Sequence, residues 1–145
     1  MPVALAMFTA LAACSPSAPK GPPLGATGKT NAHGLPELRN PLANDAGALS
    51  AGADLYATHA CLTCHGRQLT GSMCPSLVND TWVYGGDDTT LFHLVRDGSA
   101  GLHAHGYDRI GHEPQVGDMP AFGSTLDDTQ IWQLLAYIHS RRATP

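Results

Sequence analysis

Lysine is almost missing from this chain of 145 residues: only Lys20 and Lys29 occur, both near the N-terminus. From Asn40 onward five arginines (Arg67, Arg96, Arg109, Arg141 and Arg142) stand against ten aspartates and Glu113. An acidic segment of this kind argues against nucleic acid as a partner, since phosphates call for clustered cations. It also argues against docking through a ring of lysines on an acidic protein. No Ser-His-Asp order, phosphate loop, paired-carboxylate motif or internal repeat is present, so none of those enzyme classes is supported.

Long apolar runs are equally scarce. The nearly continuous apolar stretch at residues 1–13 is too short to cross a bilayer as a helix, which needs about 20 residues. It ends in Leu11-Ala12-Ala13-Cys14, which resembles a bacterial lipobox. A signal peptide opens with Lys or Arg, and none precedes Lys20, so the sequence predicts a signal segment over residues 1–14 whose start lies upstream or is truncated. Cleavage there leaves Cys14 as an acylated N-terminus. Residues 15–45 are rich in Pro, Gly, Ala, Ser and Asn without an apolar period, a composition that predicts a flexible tether. The working domain is expected over residues 46–145.

Four cysteines occur. Cys61 and Cys64 flank two residues and His65 follows at once, the attachment spacing of c-type haem. Two thiols at this spacing each add across a haem vinyl group to form a thioether, and the next side chain is aimed at the iron. A thioredoxin-like redox pair wants a βαβ setting, yet no β-branched alternating strand precedes Cys61. A zinc site wants a further close Cys or His pair.

Helical periodicity surrounds the motif. Leu49, Gly52, Ala53, Tyr56, Ala57 and Ala60 form one apolar stripe that predicts a helix ending at Cys61. Ile131, Leu134, Leu135 and Ile138 predict a C-terminal helix, with Thr125 and Asp128 as its start signal. A third helix is expected over residues 89–96, with Asp88 as its cap and Gly98 just past its end.

With these residues in place, the chain from about residue 40 to 142 resembles a class I c-type cytochrome, the mono-haem bacterial cytochrome c domain. The resemblance rests on Gly52, Tyr56, Cys61/Cys64/His65, Pro75-Ser76-Leu77, Trp82, Tyr84-Gly85-Gly86, Asp118-Met119-Pro120-Ala121-Phe122-Gly123, Leu134 and Tyr137. It implies an all-α fold of three to five helices around one covalent haem. It further implies that Gly52 and Tyr56 meet Leu134 and Tyr137 where the terminal helices cross. The Pro75 carbonyl would accept a hydrogen bond from the His65 imidazole, and Met119 would be the sixth ligand, so that His65 and Met119 hold the iron. Cys74 departs from the family pattern, which has Gly before the proline.

Met73 lies two residues before Pro75, on the side expected to hold His65, which leaves Met119 as the sulfur ligand; a thioether favours the reduced state and raises the potential. Trp82, Tyr84, Phe92 and Phe122 are expected in the wall of the haem pocket. His33, His59, His93 and His139 read as surface or boundary residues. His103, His105 and His112, near Asp108 and Glu113, match no metal motif and read as a solvated, partner-facing insertion, although one of them displacing Met119 would lower the potential. Cys74 reads as a small buried hydrophobe.

The family resemblance implies an exported carrier, periplasmic or tethered through a lipid on Cys14. It would pass single electrons between redox proteins such as a dehydrogenase and a terminal oxidase or another cytochrome. Two other classes stay open: a haem enzyme or gas sensor with a labile sixth ligand, and a structural haem subunit of a larger respiratory or quinoprotein complex.

Overall fold

A computed structural model describes residues 21–114 and 117–142. In chain order they form β1 (Ala26–Thr30), β2 (Pro36–Leu38), α1 (Ala46–Thr58), α2 (Cys61–His65), α3 (Asp88–Ala104) and α4 (Asp128–Arg141). The signal segment with Cys14, and residues 15–20 of the expected tether, lie outside the described residues.

The two terminal helices make the frame. Asp45 starts α1 by accepting the Ala48 amide at 2.7 Å. α4 opens on a capping box in which Asp127 accepts the Gln130 amide at 2.8 Å and the Gln130 side chain accepts the Asp127 amide at 2.9 Å. The start therefore falls on Asp127 rather than on the Thr125–Asp128 pair, because the Thr125 hydroxyl turns back to the Phe122 carbonyl. α1 and α4 cross at Gly52. A Cβ there would lie 2.1 Å from the Gln133 carbonyl oxygen and 2.7 Å from Tyr137 Cβ, so only glycine permits the approach. Tyr56 and Tyr137 pack beside it with ring centroids 5.9 Å apart.

The N-terminal boundary differs from the sequence reading. Residues 24–42 are not a tether: β1 and β2 pair as an irregular antiparallel hairpin, and Leu35 and Leu38 are buried. The Leu38 amide donates to Thr89 Oγ1 at 2.9 Å, and the Asn40 amide donates to Asp88 Oδ2 at 2.9 Å. Trp132, fully buried on α4, donates its indole N–H to the Leu24 carbonyl, and the Leu24 amide donates to Asp128. The composition misleads because a few leucines suffice when the partners of the backbone groups lie far away in sequence; the packed unit begins near residue 24.

α3 also differs. Its cap is Asp87, which accepts the Thr90 amide at 3.0 Å, and the helix continues beyond the expected end to Ala104. Gly98 does break it, with φ 73° and ψ 178°. Helix resumes after the break because Leu102 is buried in a second small core with Leu35, Tyr84 and Tyr107. The excursion between Gly98 and Met119 is thereby fastened to the hairpin: His33 stacks on Tyr107 at 3.8 Å, and the Asn31 amide group donates to the Tyr107 hydroxyl.

Two side chains expected elsewhere belong to the interior. His93 is not a boundary residue: it is 1 % exposed, with Nδ1 2.9 Å from Asp97 Oδ2 and Nε2 lacking a partner among the described residues. Phe92 does not line the pocket; it packs on Trp132 at 4.5 Å inside the main core, since α3 turns that face toward α4.

Candidate haem site

Ala60 adopts a left-handed conformation (φ 62°), which is costly for a residue with a Cβ and separates α1 from the short α2. Cys61 and Cys64 stand three apart on that helix, and neighbours at this spacing share a face. The loop that follows folds back onto α2: the Gly71 amide donates to the His65 carbonyl, the Cys74 amide to the Cys64 carbonyl and the Leu77 amide to the Leu69 carbonyl. This return brings the Pro75 carbonyl 2.8 Å from His65 Nδ1. With Nδ1–H donating there, the lone pair is on Nε2. Burial lowers the His65 pKa while the Pro75 carbonyl opposes the change, so the imidazole is neutral near pH 7 and fit to coordinate. Burial likewise raises the Cys61 thiol. Tyr56 anchors the same turn by donating its hydroxyl to the Gly66 carbonyl at 2.7 Å, and burial pushes its phenol pKa up.

Cys61, Cys64 and His65 open onto a cavity of about 1220 Å³, open mouth included, whose walls come from α3, α4 and the loops before and after α3. Those walls are largely aliphatic and aromatic, Trp82, Tyr84 and Phe122 among them. Met119 lines the same cavity and is partly buried, whereas Met73 is 62 % exposed. Two thiols, a neutral imidazole, a thioether and an apolar enclosure are the donor set and surroundings that a covalently attached haem requires. Trp82 is steadied from outside by the Arg142 guanidinium, 4.3 Å from its ring, and by the edge of His139.

The histidines of the excursion do not assemble. His103 sits at 3.1 Å from the Tyr84 hydroxyl, His105 offers its carbonyl to His33, and His112 is exposed. Among the described residues no three His, Cys, Asp or Glu side chains are placed to hold a metal ion. Cys74 is half-buried rather than fully enclosed and lines the cavity, its thiol pKa raised by burial and then by a hydrogen bond with Cys64. Reading the sequence missed Arg109, which donates to the Tyr84 hydroxyl at 3.2 Å and pairs with Asp118 at 3.3 Å, next to Met119. It also missed Ser99. Nothing local distinguishes either residue, because both meet their partners across a loop.

The family described as cytochrome c oxidase, cbb3-type, subunit III matches residues 47–138. The cbb3-type cytochrome c oxidase subunit CcoP of Azospirillum brasilense is 32% identical over 108 residues, covering 70% of this chain and 31% of that protein. The subunit FixP of Bradyrhizobium sp. (strain ORS 278) is 32% identical over 94 residues, 63% of this chain and 27% of that protein. This chain thus spans about a third of the length of the curated relatives it matches. Among solved structures, cytochrome CL from the marine methylotrophic bacterium Methylophaga aminisulfidivorans MPT superposes with a TM-score of 0.53 at 24% identity, over 72% of this chain and 58% of that one, a likeness of fold.

Proposed function

Since the chain belongs to the cytochrome c family of cbb3-type oxidase subunit III, we propose that it carries single electrons through one haem c held by Cys61, Cys64, His65 and Met119. The observation that carries this reading is the convergence of those four side chains on one apolar cavity with His65 Nδ1 already committed to the Pro75 carbonyl. Haem, when bound, supplies a one-electron couple. The chain supplies everything else: two thiols for covalent attachment, an imidazole oriented by Pro75, and a methionine sulfur that favours the reduced state. Apolar walls exclude water, and ligands fixed by packing leave little to rearrange when the charge changes.

The acceptor in this reading is a terminal oxidase, the assembly named for the relatives, and the donor is a dehydrogenase or another cytochrome. No helix among the described residues is long and apolar enough to cross a membrane. Attachment through a lipid on Cys14, in the periplasm, is the form of tethering we propose. It would raise effective concentration at a membrane-bound partner without any new contact. The test is spectroscopic. The ferric protein should show a sulfur-to-iron charge-transfer band; Met119→His should lower the midpoint potential and Met119→Ala should admit exogenous ligands. An unchanged potential and spectrum in both variants would show that Met119 does not hold the group.

A further inference from the structure

The break in α3 at Gly98 strips neighbouring backbone groups of their helical partners. The Val95 and Arg96 carbonyls, which an unbroken helix would pair with residues 99 and 100, instead accept the Phe122 and Gly123 amides at 3.0 and 2.9 Å. The Ser99 amide, turned out of the ladder, donates to the Met119 carbonyl at 3.0 Å. In return the Met119 amide donates to Ser99 Oγ at 2.9 Å. Ser99 is 1 % exposed, so water does not compete for these bonds. Glycine is required at the bend: a Cβ on Gly98 would stand 2.7 Å from the Met119 carbonyl oxygen and 2.9 Å from the Ala121 nitrogen. The excursion carrying His103, His105 and His112 therefore leaves and rejoins the core at one closed point.

We infer that Ser99 is a positioning residue for Met119, clipping both backbone groups of the methionine to α3 so that its sulfur stays in the cavity whatever the excursion does. The inference rests on the reading of Met119 as the sulfur ligand. Ser99 lines the cavity, and its role in this reading is exerted through the methionine backbone.

The test uses the haem-loaded full chain. Ser99→Ala should speed carbon monoxide association with the ferrous protein about tenfold, the effect of losing one shielded hydrogen bond, and should weaken the ferric sulfur-to-iron band. Leu102→Ala empties part of the second core on the same helix without touching Met119; it should lower the melting temperature yet leave the carbon monoxide rate within about twofold of wild type. In the unaltered protein the Met119 amide should exchange with solvent at least about tenfold more slowly than those of Asp108 and His112, a measurement independent of any variant. A wild-type rate and band in Ser99→Ala, equal acceleration by Leu102→Ala, or a Met119 amide as labile as the excursion, would each overturn the clamp. If Met119→Ala also leaves band and rate unchanged, the ligand reading falls with it; if Met119→Ala opens the site while Ser99→Ala does not, the clamp alone falls.

Discussion

Leu38→Ala separates two descriptions of the N-terminal segment. A residue in a tether can lose its side chain with no effect on the domain. Leu38, however, is 2 % exposed and belongs to the core that also holds Tyr56, Leu91 and Trp132. Core leucine-to-alanine changes cost roughly 2–5 kcal/mol, less where the surroundings can collapse. A three-residue strand at the margin of the core has room to settle, so we expect about 2–3 kcal/mol. At roughly 4 °C per kcal/mol for a domain of this size, the melting temperature should fall by about 10 °C. Two companions sharpen the reading. Thr89→Ala leaves the Leu38 amide buried without its acceptor and should cost about 1–2 kcal/mol. Leu24→Ala should change stability by no more than about 0.5 kcal/mol, because Leu24 is 43 % exposed and bonds through its backbone. Thermal unfolding of the haem-loaded chain, followed by circular dichroism, is the assay. A Leu38→Ala melt indistinguishable from that of Leu24→Ala would refute the packed hairpin.

Three further outcomes are expected. Gly52→Ala should destabilise the protein by about 3 kcal/mol, since its new methyl would press on the Gln133 carbonyl at the crossing of α1 and α4; a denaturant titration reads this, and a wild-type midpoint would mean the helices are farther apart. Burial raises the Asp97 carboxyl, but hydrogen bonds from His93 and Arg96 outweigh it and hold it down to about 2. A carboxyl depressed on folding contributes stability that is present above its unfolded value near 4 and is lost as pH falls through the folded one. Melting temperatures across that window should therefore drop more steeply in wild type than in Asp97→Asn. The difference should be no more than about 1 kcal/mol after screening, because Asp97 is 34 % exposed; parallel pH profiles would disprove the coupling. The Cys61→Ala/Cys64→Ala double variant should lose haem staining on a denaturing gel, and full retention would rule out attachment through those thiols.

The attachment motif was legible because it is local: two thiols and an imidazole fall within five consecutive residues. The terminal helices were legible for a related reason, since a 3.6-residue period is written along the chain. Helix ends were less so. Asp87 and Asp127 displaced Asp88 and the Thr125–Asp128 pair as caps, and only the direction of each side chain separates adjacent carboxylates in that role.

The sequence alone was enough to name a covalent haem and a helical enclosure. Reading residues 24–42 as part of the domain, burying His93, moving Phe92 out of the cavity wall and dispersing the three excursion histidines all required the folded chain. For the hairpin, for Phe92 and for the first excursion histidine the deciding partner lies far along the chain: Thr89 for the Leu38 amide, Trp132 for Phe92, Tyr84 for His103. Periodicity and composition report which groups a segment must satisfy; they carry no information about which distant groups arrive to satisfy them, and that pairing is settled only when the chain closes on itself.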